Sequence, residues 1–212
     1  MTEQDAATVG LGAVTTAYGA AASLYIDRIG SADRADAEDR DLVRSWAADL
    51  QGPVLDGGGC GPGHWSAFLH ALGAEVEGVD ATPEFVDHAR RTWPAVEFRL
   101  GDLRRLDLAD GVLGGVLSWF SVIHTDPEEV PGILDGFARA LKPGGSLLLG
   151  FFSGDRLRPF DHRVVTAWAW PVERMAATVE AAGLTVRSTR DRAAPNGRRN
   201  ASLVAQRSAP AR

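Results

Sequence analysis

Apolar positions along the chain change their spacing twice. From Val14 to Ile29 the chain is alanine-rich and carries Tyr18 and Tyr25, seven residues apart and therefore on one face of a helix. Leu42, Val43, Trp46 and Leu50 repeat at helical spacing over Asp41 to Leu50, and Gly52-Pro53 ends that second helix. From Val54 the pattern alternates. Short apolar runs at Val54-Leu55, Val76 to Val79, Val96 to Leu100, Val116 to Trp119 and Ser146 to Phe152 are separated by helical spacing over His64 to Leu72, Pro83 to Thr92 and Pro127 to Leu141. Strands that alternate with helices need right-handed crossovers, which places helices on both faces of a mostly parallel sheet. A doubly wound α/β fold follows. After a helix over Val172 to Ala182, the runs Thr185 to Thr189 and Ser202 to Gln206, joined through Pro195-Asn196-Gly197, predict a C-terminal antiparallel hairpin on the sheet edge.

Composition narrows the picture by exclusion. With 212 residues, 45% apolar and 24% charged, the chain has the balance of an ordinary globular protein. No apolar run approaches the ~18 to 20 residues of a membrane span, and Leu11 to Ile26 lacks the basic start of a signal peptide, so the expectation is a cytoplasmic protein. Cys60 is the only cysteine, which rules out an internal disulfide and disfavours a zinc site; no metal is expected. A net charge of -6 argues against nucleic acid, and the basic stretch Arg187 to Arg212 reads as solvated surface.

Chemistry concentrates at the strand ends, where loops in such a sheet meet a ligand. The first strand runs into Asp56-Gly-Gly-Gly-Cys-Gly-Pro-Gly63-His64-Trp65, a loop in which glycines let backbone amides approach a ligand closely. The second ends at Asp80-Ala81, the third at Asp102-Leu103, and the fourth at Trp119-Phe120-Ser-Val-Ile-His124. A carboxylate at Asp80 can accept both hydroxyls of a ribose, each charge-assisted bond contributing about 1.5 to 3 kcal/mol. Asp102 can take an adenine amine while Leu103 flanks the ring. The Gly-x-Gly-x-x-Gly pattern of nicotinamide dinucleotide sites is absent in every register.

Val-Leu-Asp56, Gly59-Cys-Gly61-Pro-Gly63, Asp80, Asp102 and Leu141-Lys-Pro-Gly-Gly145, in that order, resemble the class I S-adenosylmethionine-dependent methyltransferases, most closely over residues 53 to 152. The resemblance implies a Rossmann-like seven-stranded sheet over 51 to 212, a helical lid over 1 to 50, and S-adenosylmethionine as cofactor. It further implies that the glycine loop with Asp56 meets the methionine part, Asp80 the ribose and Asp102 the adenine. One departure stands out: Asp56 lies three residues before Gly59, where the family has two, so an extra glycine must bulge at Gly57-Gly58 or draw Asp56 away from the cofactor.

Methyl transfer from a sulfonium depends on alignment and exclusion of water, and aromatic faces near the cation contribute ~0.5 to 2 kcal/mol. Tyr18, Trp65, Trp119 and Phe120 are the candidates. His124 is the candidate base, its reference pKa of about 6.5 suiting neutral pH. His64 is placed to contact the loop or the cofactor carboxylate, while Tyr25, Phe120, His162 and Trp168 are candidate acceptor-pocket residues. Little chain remains for a substrate domain, so the expected acceptor is a small molecule methylated at N or O, such as a specialised metabolite, on a monomer or homodimer. Two other readings stay open: a protein that binds the cofactor without methylating, as a rearrangement catalyst or partner subunit, and a nicotinamide dehydrogenase.

Overall fold

The computed structural model describes residues 10–194 and 197–208. Its two N-terminal helices are attached very differently. Of α1 (Leu11–Ile29) only Ala22 is buried, since its alanines and glycines form a weak apolar face, and Leu24 stays 55% exposed. By contrast α2 (Ala37–Ala48) buries Val43 and Trp46, and the Trp46 indole donates to Ser146 Oγ at 3.0 Å. It starts four residues before the expected Asp41 because Asp36 caps it, accepting the Glu38 amide at 2.9 Å.

The alternation then runs β1 (Val54–Asp56), α3 (His64–Ala71), β2 (Val76–Asp80), α4 (Pro83–Thr92), β3 (Glu97–Leu100), β4 (Leu113–Trp119), α5 (Val130–Ala140) and β5 (Leu141–Ser153). These strands pair in parallel in the order β3-β2-β1-β4-β5. After β6 (Arg158–Phe160), β7 (Ala167–Trp170) and α6 (Val172–Ala181) come β8 (Leu184–Ala193) and β9 (Arg199–Arg207). β9 pairs antiparallel with β5 from Ser146↔Gln206 to Ser153↔Arg199, and β8 adds antiparallel to β9. The fold is the doubly wound α/β sheet with an antiparallel C-terminal hairpin. Of the expected turn, Pro195 and Asn196 lie outside the described residues; Gly197 has a φ of 79°.

Among the described residues the sheet has nine strands where the family resemblance implies seven, and the two extra strands are the β6–β7 hairpin. β4 stops pairing with β5 at Trp119↔Gly150, and β7 takes over further along, at Phe152↔Ala169 and Ser153↔Trp170. An edge of β5 that would otherwise be open is thereby paired. Strand β5 sits at the centre of the core and shows its period of two: Leu147, Leu149 and Phe151 pack with Leu134 and Phe137 of α5 and Met175 of α6, while Leu148 packs on the opposite face with Val43, Leu69 and Val86. No helix among the described residues is long and apolar enough to cross a membrane.

Candidate active site

Beyond the carboxyl ends of β1, β2 and β4 lies a cavity of about 370 Å³, roofed by the inner face of α1. The glycine loop forms one wall. Gly58, Gly61 and Gly63 have φ of 76°, 53° and 82°, a region that side chains resist. Gly58 shows how the extra residue is absorbed: a Cβ there would lie 1.7 Å from Leu103 Cγ, so the loop bulges beneath Leu103 at a point where only glycine fits. The Gly58 and Cys60 amides both donate to the Val79 carbonyl, at 3.0 and 3.3 Å, and the Gly57 amide donates to Leu117 O at 2.8 Å.

Asp80 fastens the loop to β2. Its Oδ2 accepts the Gly61 amide at 2.9 Å and its Oδ1 the Thr82 amide at 2.7 Å, the latter fixing the start of α4. The Thr82 side chain and the Ala81 amide add to the bonds that hold this carboxylate in place. Burial pushes the Asp80 pKa up, partly offset by these amide bonds. His64 is buried at the start of α3, with Nδ1 unpartnered and its pKa pushed down to about 4 by burial. It is a neutral ring lining the cavity with one nitrogen unsatisfied.

The facing wall is aromatic and carries His124 and His162, with Tyr18 and Tyr25, whose pKa values are raised by burial and also by the charge of nearby Asp80. The His124 Nδ1–H donates to the Thr166 carbonyl at 2.8 Å, since a carbonyl only accepts; Nε2 is then the accepting nitrogen, and it takes the Tyr18 hydroxyl at 2.9 Å. Burial holds the His124 pKa below the ordinary histidine value, and the Thr166 bond opposes that shift. Tyr18 meets Tyr25 edge-on at 5.5 Å, and burial pushes the Tyr25 pKa up to about 12. Beyond His124 the rings continue through His162 at 5.1 Å to Phe152 at 5.6 Å and Phe120 at 5.1 Å, then Trp119 at 5.5 Å and Trp65 at 5.9 Å. Phe120 is the one non-glycine among the described residues with positive φ, 55°, held by its amide bond to Gly150 O at 3.0 Å. Strain of this kind turns the chain sharply out of β4, so that Phe120 and Ser121 face the cavity.

Three residues expected at the site do not line this cavity. Asp56 lies beneath the loop, 2% exposed, accepting the Ser66 hydroxyl at 2.6 Å; burial raises its pKa to about 7. The bulge at Gly58 separates it from the cavity. Gly63 faces the wrong way, since a Cβ there would stand 2.7 Å from Phe98 and 2.9 Å from Ala89; its lack of a side chain serves packing of α3 on the sheet. Trp168 packs on the α5–α6 face because β7 registers on β5 through Ala169 and Trp170. The other expected residues, from Tyr18, Tyr25, Gly59, Gly61, His64 and Trp65 through Asp80, Ala81, Asp102 and Leu103 to Trp119, Phe120, His124 and His162, all line it.

Asp102 carries a partner that the sequence did not signal. Arg104 Nη2 meets its Oδ2 at 2.9 Å and Arg104 Nη1 meets Glu129 at 3.4 Å. Burial raises the Asp102 pKa, but the Arg104 bonds outweigh it and leave a net lowering. Asn200, Phe152, Asp36 and Asp39 also line the cavity unforeseen. Only Asp36 had a readable signal, two residues ahead of Glu38 at a helix start.

The profile of the family described as Methyltransferase domain matches residues 54–145, from the start of β1 to the glycines within β5. The chain is 32% identical over 133 residues to a malonyl-[acyl-carrier protein] O-methyltransferase of Pectobacterium atrosepticum, covering 63% of this chain and 50% of that one. It spans about half the length of the curated relatives it matches. Among solved structures it is similar to the Burkholderia thailandensis 1,6-didemethyltoxoflavin-N1-methyltransferase, crystallised with 1,6-didemethyltoxoflavin and S-adenosylhomocysteine (TM-score 0.72, 21% identity, 93% of this chain and 88% of that one). It is also similar to the [4+2]-cyclase SpnF (TM-score 0.77, 17% identity, 92% and 95%). At these identities the structural likeness shows the fold. Residues 54–145 thus carry the methyltransferase domain, set in a chain with the fold of solved S-adenosylmethionine-dependent methyltransferases.

The residues present fit the cofactor of those enzymes. Gly59 and Gly61 line the cavity without a Cβ, the Asp80 carboxylate lines it beside them, and the buried His64 Nδ1 has no protein partner.

Proposed function

We propose that the chain transfers a methyl group from S-adenosylmethionine to an oxygen or nitrogen atom of a small molecule. One observation carries this reading: the Tyr18–His124–Thr166 hydrogen-bond chain closes the far end of the cavity whose other wall is the glycine loop and Asp80. When bound, the cofactor supplies an electrophilic methyl group on a sulfonium. Asp80 would hold the ribose hydroxyls, Asp102 and Leu103 the adenine, and His64 Nδ1–H the carboxylate. Trp65 and Trp119 would face the cation. His124, with Nδ1–H committed to Thr166, leaves Nε2 to take the acceptor's proton, relayed through the Tyr18 hydroxyl that now occupies it. The roof over this end is α1, which acts as the lid of residues 1 to 50, while α2 anchors that segment to the sheet.

One relative is named an O-methyltransferase and one similar structure an N1-methyltransferase, so both oxygen and nitrogen acceptors fall within the reading. Calorimetric titration with S-adenosylmethionine, S-adenosylhomocysteine and NAD tests it, followed by transfer of labelled methyl to O–H and N–H acceptors. Binding of the first two with methyl transfer is the expected result. Binding without transfer to any acceptor would favour a non-methylating protein such as a cyclase, and a preference for NAD would overturn the cofactor.

A further inference from the structure

We infer that the acceptor end of the cavity selects an uncharged, planar aromatic molecule bearing an O–H or N–H group and rejects carboxylates, an inference that rests on the methyl-transfer reading above. Charge is the first reason. Among the described residues five carboxylates line the cavity; Asp80, Asp102 and Glu129, with the single lining guanidinium Arg104, belong to the end proposed for the cofactor, which leaves Asp36 and Asp39 on the acceptor side, Asp39 beside Phe120 and Asn200. That guanidinium is already engaged by Asp102 and Glu129.

The neighbouring cations are committed elsewhere. Arg192 lies behind the lining and pairs with Asp36 at 3.1 Å and with Asp39. Arg198 is also outside it, stacked 5.1 Å over the Phe160 ring and 5.8 Å over Phe152, and donates to the Asp161 carbonyl at 3.2 Å. The only lysine of the chain, Lys142, sits beside Gly52 at the other edge of the strands. Nor do the histidines supply charge. Burial, with His124 and Arg198 nearby, pushes the His162 pKa down to about 4, and His124 is held below its ordinary value. A carboxylate placed here would lose its hydration among like charges and meet no free cation.

Shape and hydrogen bonding supply what charge does not. Phe120, Phe152 and His162 present ring faces to the same end, and flat ligands stack on such faces. Asn200, cross-strand neighbour of Phe152, has a buried Oδ1 with no partner and also lines the cavity. An O–H or N–H on the acceptor would satisfy it. A ligand without one leaves a buried carbonyl unpaired, the kind of mismatch that discriminates strongly.

A matched pair of probes separates the effects of ring and charge. Protein saturated with S-adenosylhomocysteine is titrated at pH 7.5 with 2-naphthol and with 2-naphthoate, which share a ring system and differ in charge. The expected result is 2-naphthol binding at least tenfold more tightly. Equal or tighter binding of 2-naphthoate, or binding of neither, overturns the inference. In Asp39→Asn, which removes a lining carboxylate and releases part of the Arg192 charge beside Phe120 and Asn200, the preference should narrow by about threefold or more, and an unchanged ratio counts against the charge argument. Affinity for S-adenosylhomocysteine itself, measured in the saturation step, judges the proposed function separately and verifies that the variant is folded.

Discussion

The two ends of the cavity are built by different means. At the cofactor end, one continuous stretch from β1 into α3 supplies the wall, and backbone amides do most of the holding: Gly57, Gly58, Cys60 and Gly61 all donate across to β2 or β4. At the acceptor end, side chains from widely separated segments meet. Tyr18 bonds His124 across 106 residues, His162 arrives on the connection between β6 and β7, and Asn200 comes from β9. Backbone cradles depend on glycine and on one strand order, whereas side-chain walls can change residue by residue without disturbing the sheet. The first end suits a fixed cofactor and the second a variable acceptor.

If the ends are separable, variants at each should fail in only one way. The largest effect is expected from His124→Ala, which removes the proposed base. Turnover should fall by about 10² to 10⁴ with cofactor affinity unchanged, measured by labelled methyl transfer alongside calorimetry. The active form is the neutral ring, and burial lowers its pKa. Turnover by the unaltered protein should therefore stay level through neutral pH and decline only as pH drops below the ordinary histidine value of about 6.5. A decline that begins above that value would show that another group is the base. Asp80→Ala comes next and should show the converse pattern. Losing the proposed ribose bonds, and the anchors of Gly61 and Thr82, should weaken S-adenosylhomocysteine binding by about 10- to 100-fold. Loss of acceptor binding with retained cofactor affinity would mean the ends are coupled.

The same contrast explains what the sequence could reveal. The cofactor end was legible because its glycines and acids sit at the ends of strands that hydrophobic spacing already locates. Even so, the motif could not distinguish a glycine that faces a ligand from one that packs: Gly63 is required by Phe98 and Ala89, and Asp56 lies below the bulge. At the acceptor end His124 and Phe120 were readable from their place after β4. Asn200 was not, because its approach depends on how β9 settles on the sheet. Trp168 went astray for a related reason: in a four-residue strand, the face a side chain takes depends on pairing register, here Ser153↔Trp170, and no local pattern fixes that.

A smaller change sharpens the acceptor side. Tyr18→Phe keeps the ring contacts with Tyr25 and Phe85 but removes the hydroxyl that His124 Nε2 accepts. With the relay gone and one hydrogen bond lost, kcat should drop by about 5- to 20-fold, while cofactor affinity stays within about twofold. If kcat is unchanged and the affinity falls, Tyr18 serves the cofactor and the division between the ends needs redrawing.

The smallest expected effect concerns stability and tests whether Asp56 has really left the site. Burial raises its folded pKa to about 7, well above the ordinary carboxylate range, so the folded chain binds its proton more tightly than the unfolded chain does. For a group shifted in this direction the stabilisation is complete below the unfolded pKa and is lost as pH climbs towards the folded one. An asparagine keeps the shape and never ionises. Asp56→Asn should therefore melt several degrees above the unaltered protein at pH 8, by about 3 to 8 °C, with the gap closing at pH 4, and should leave S-adenosylhomocysteine affinity intact. A large loss of that affinity would return Asp56 to the cofactor wall. A melting temperature at pH 8 no higher than that of the unaltered protein would mean that the carboxyl beneath the bulge is charged and compensated, and that Ser66 alone does not account for its surroundings.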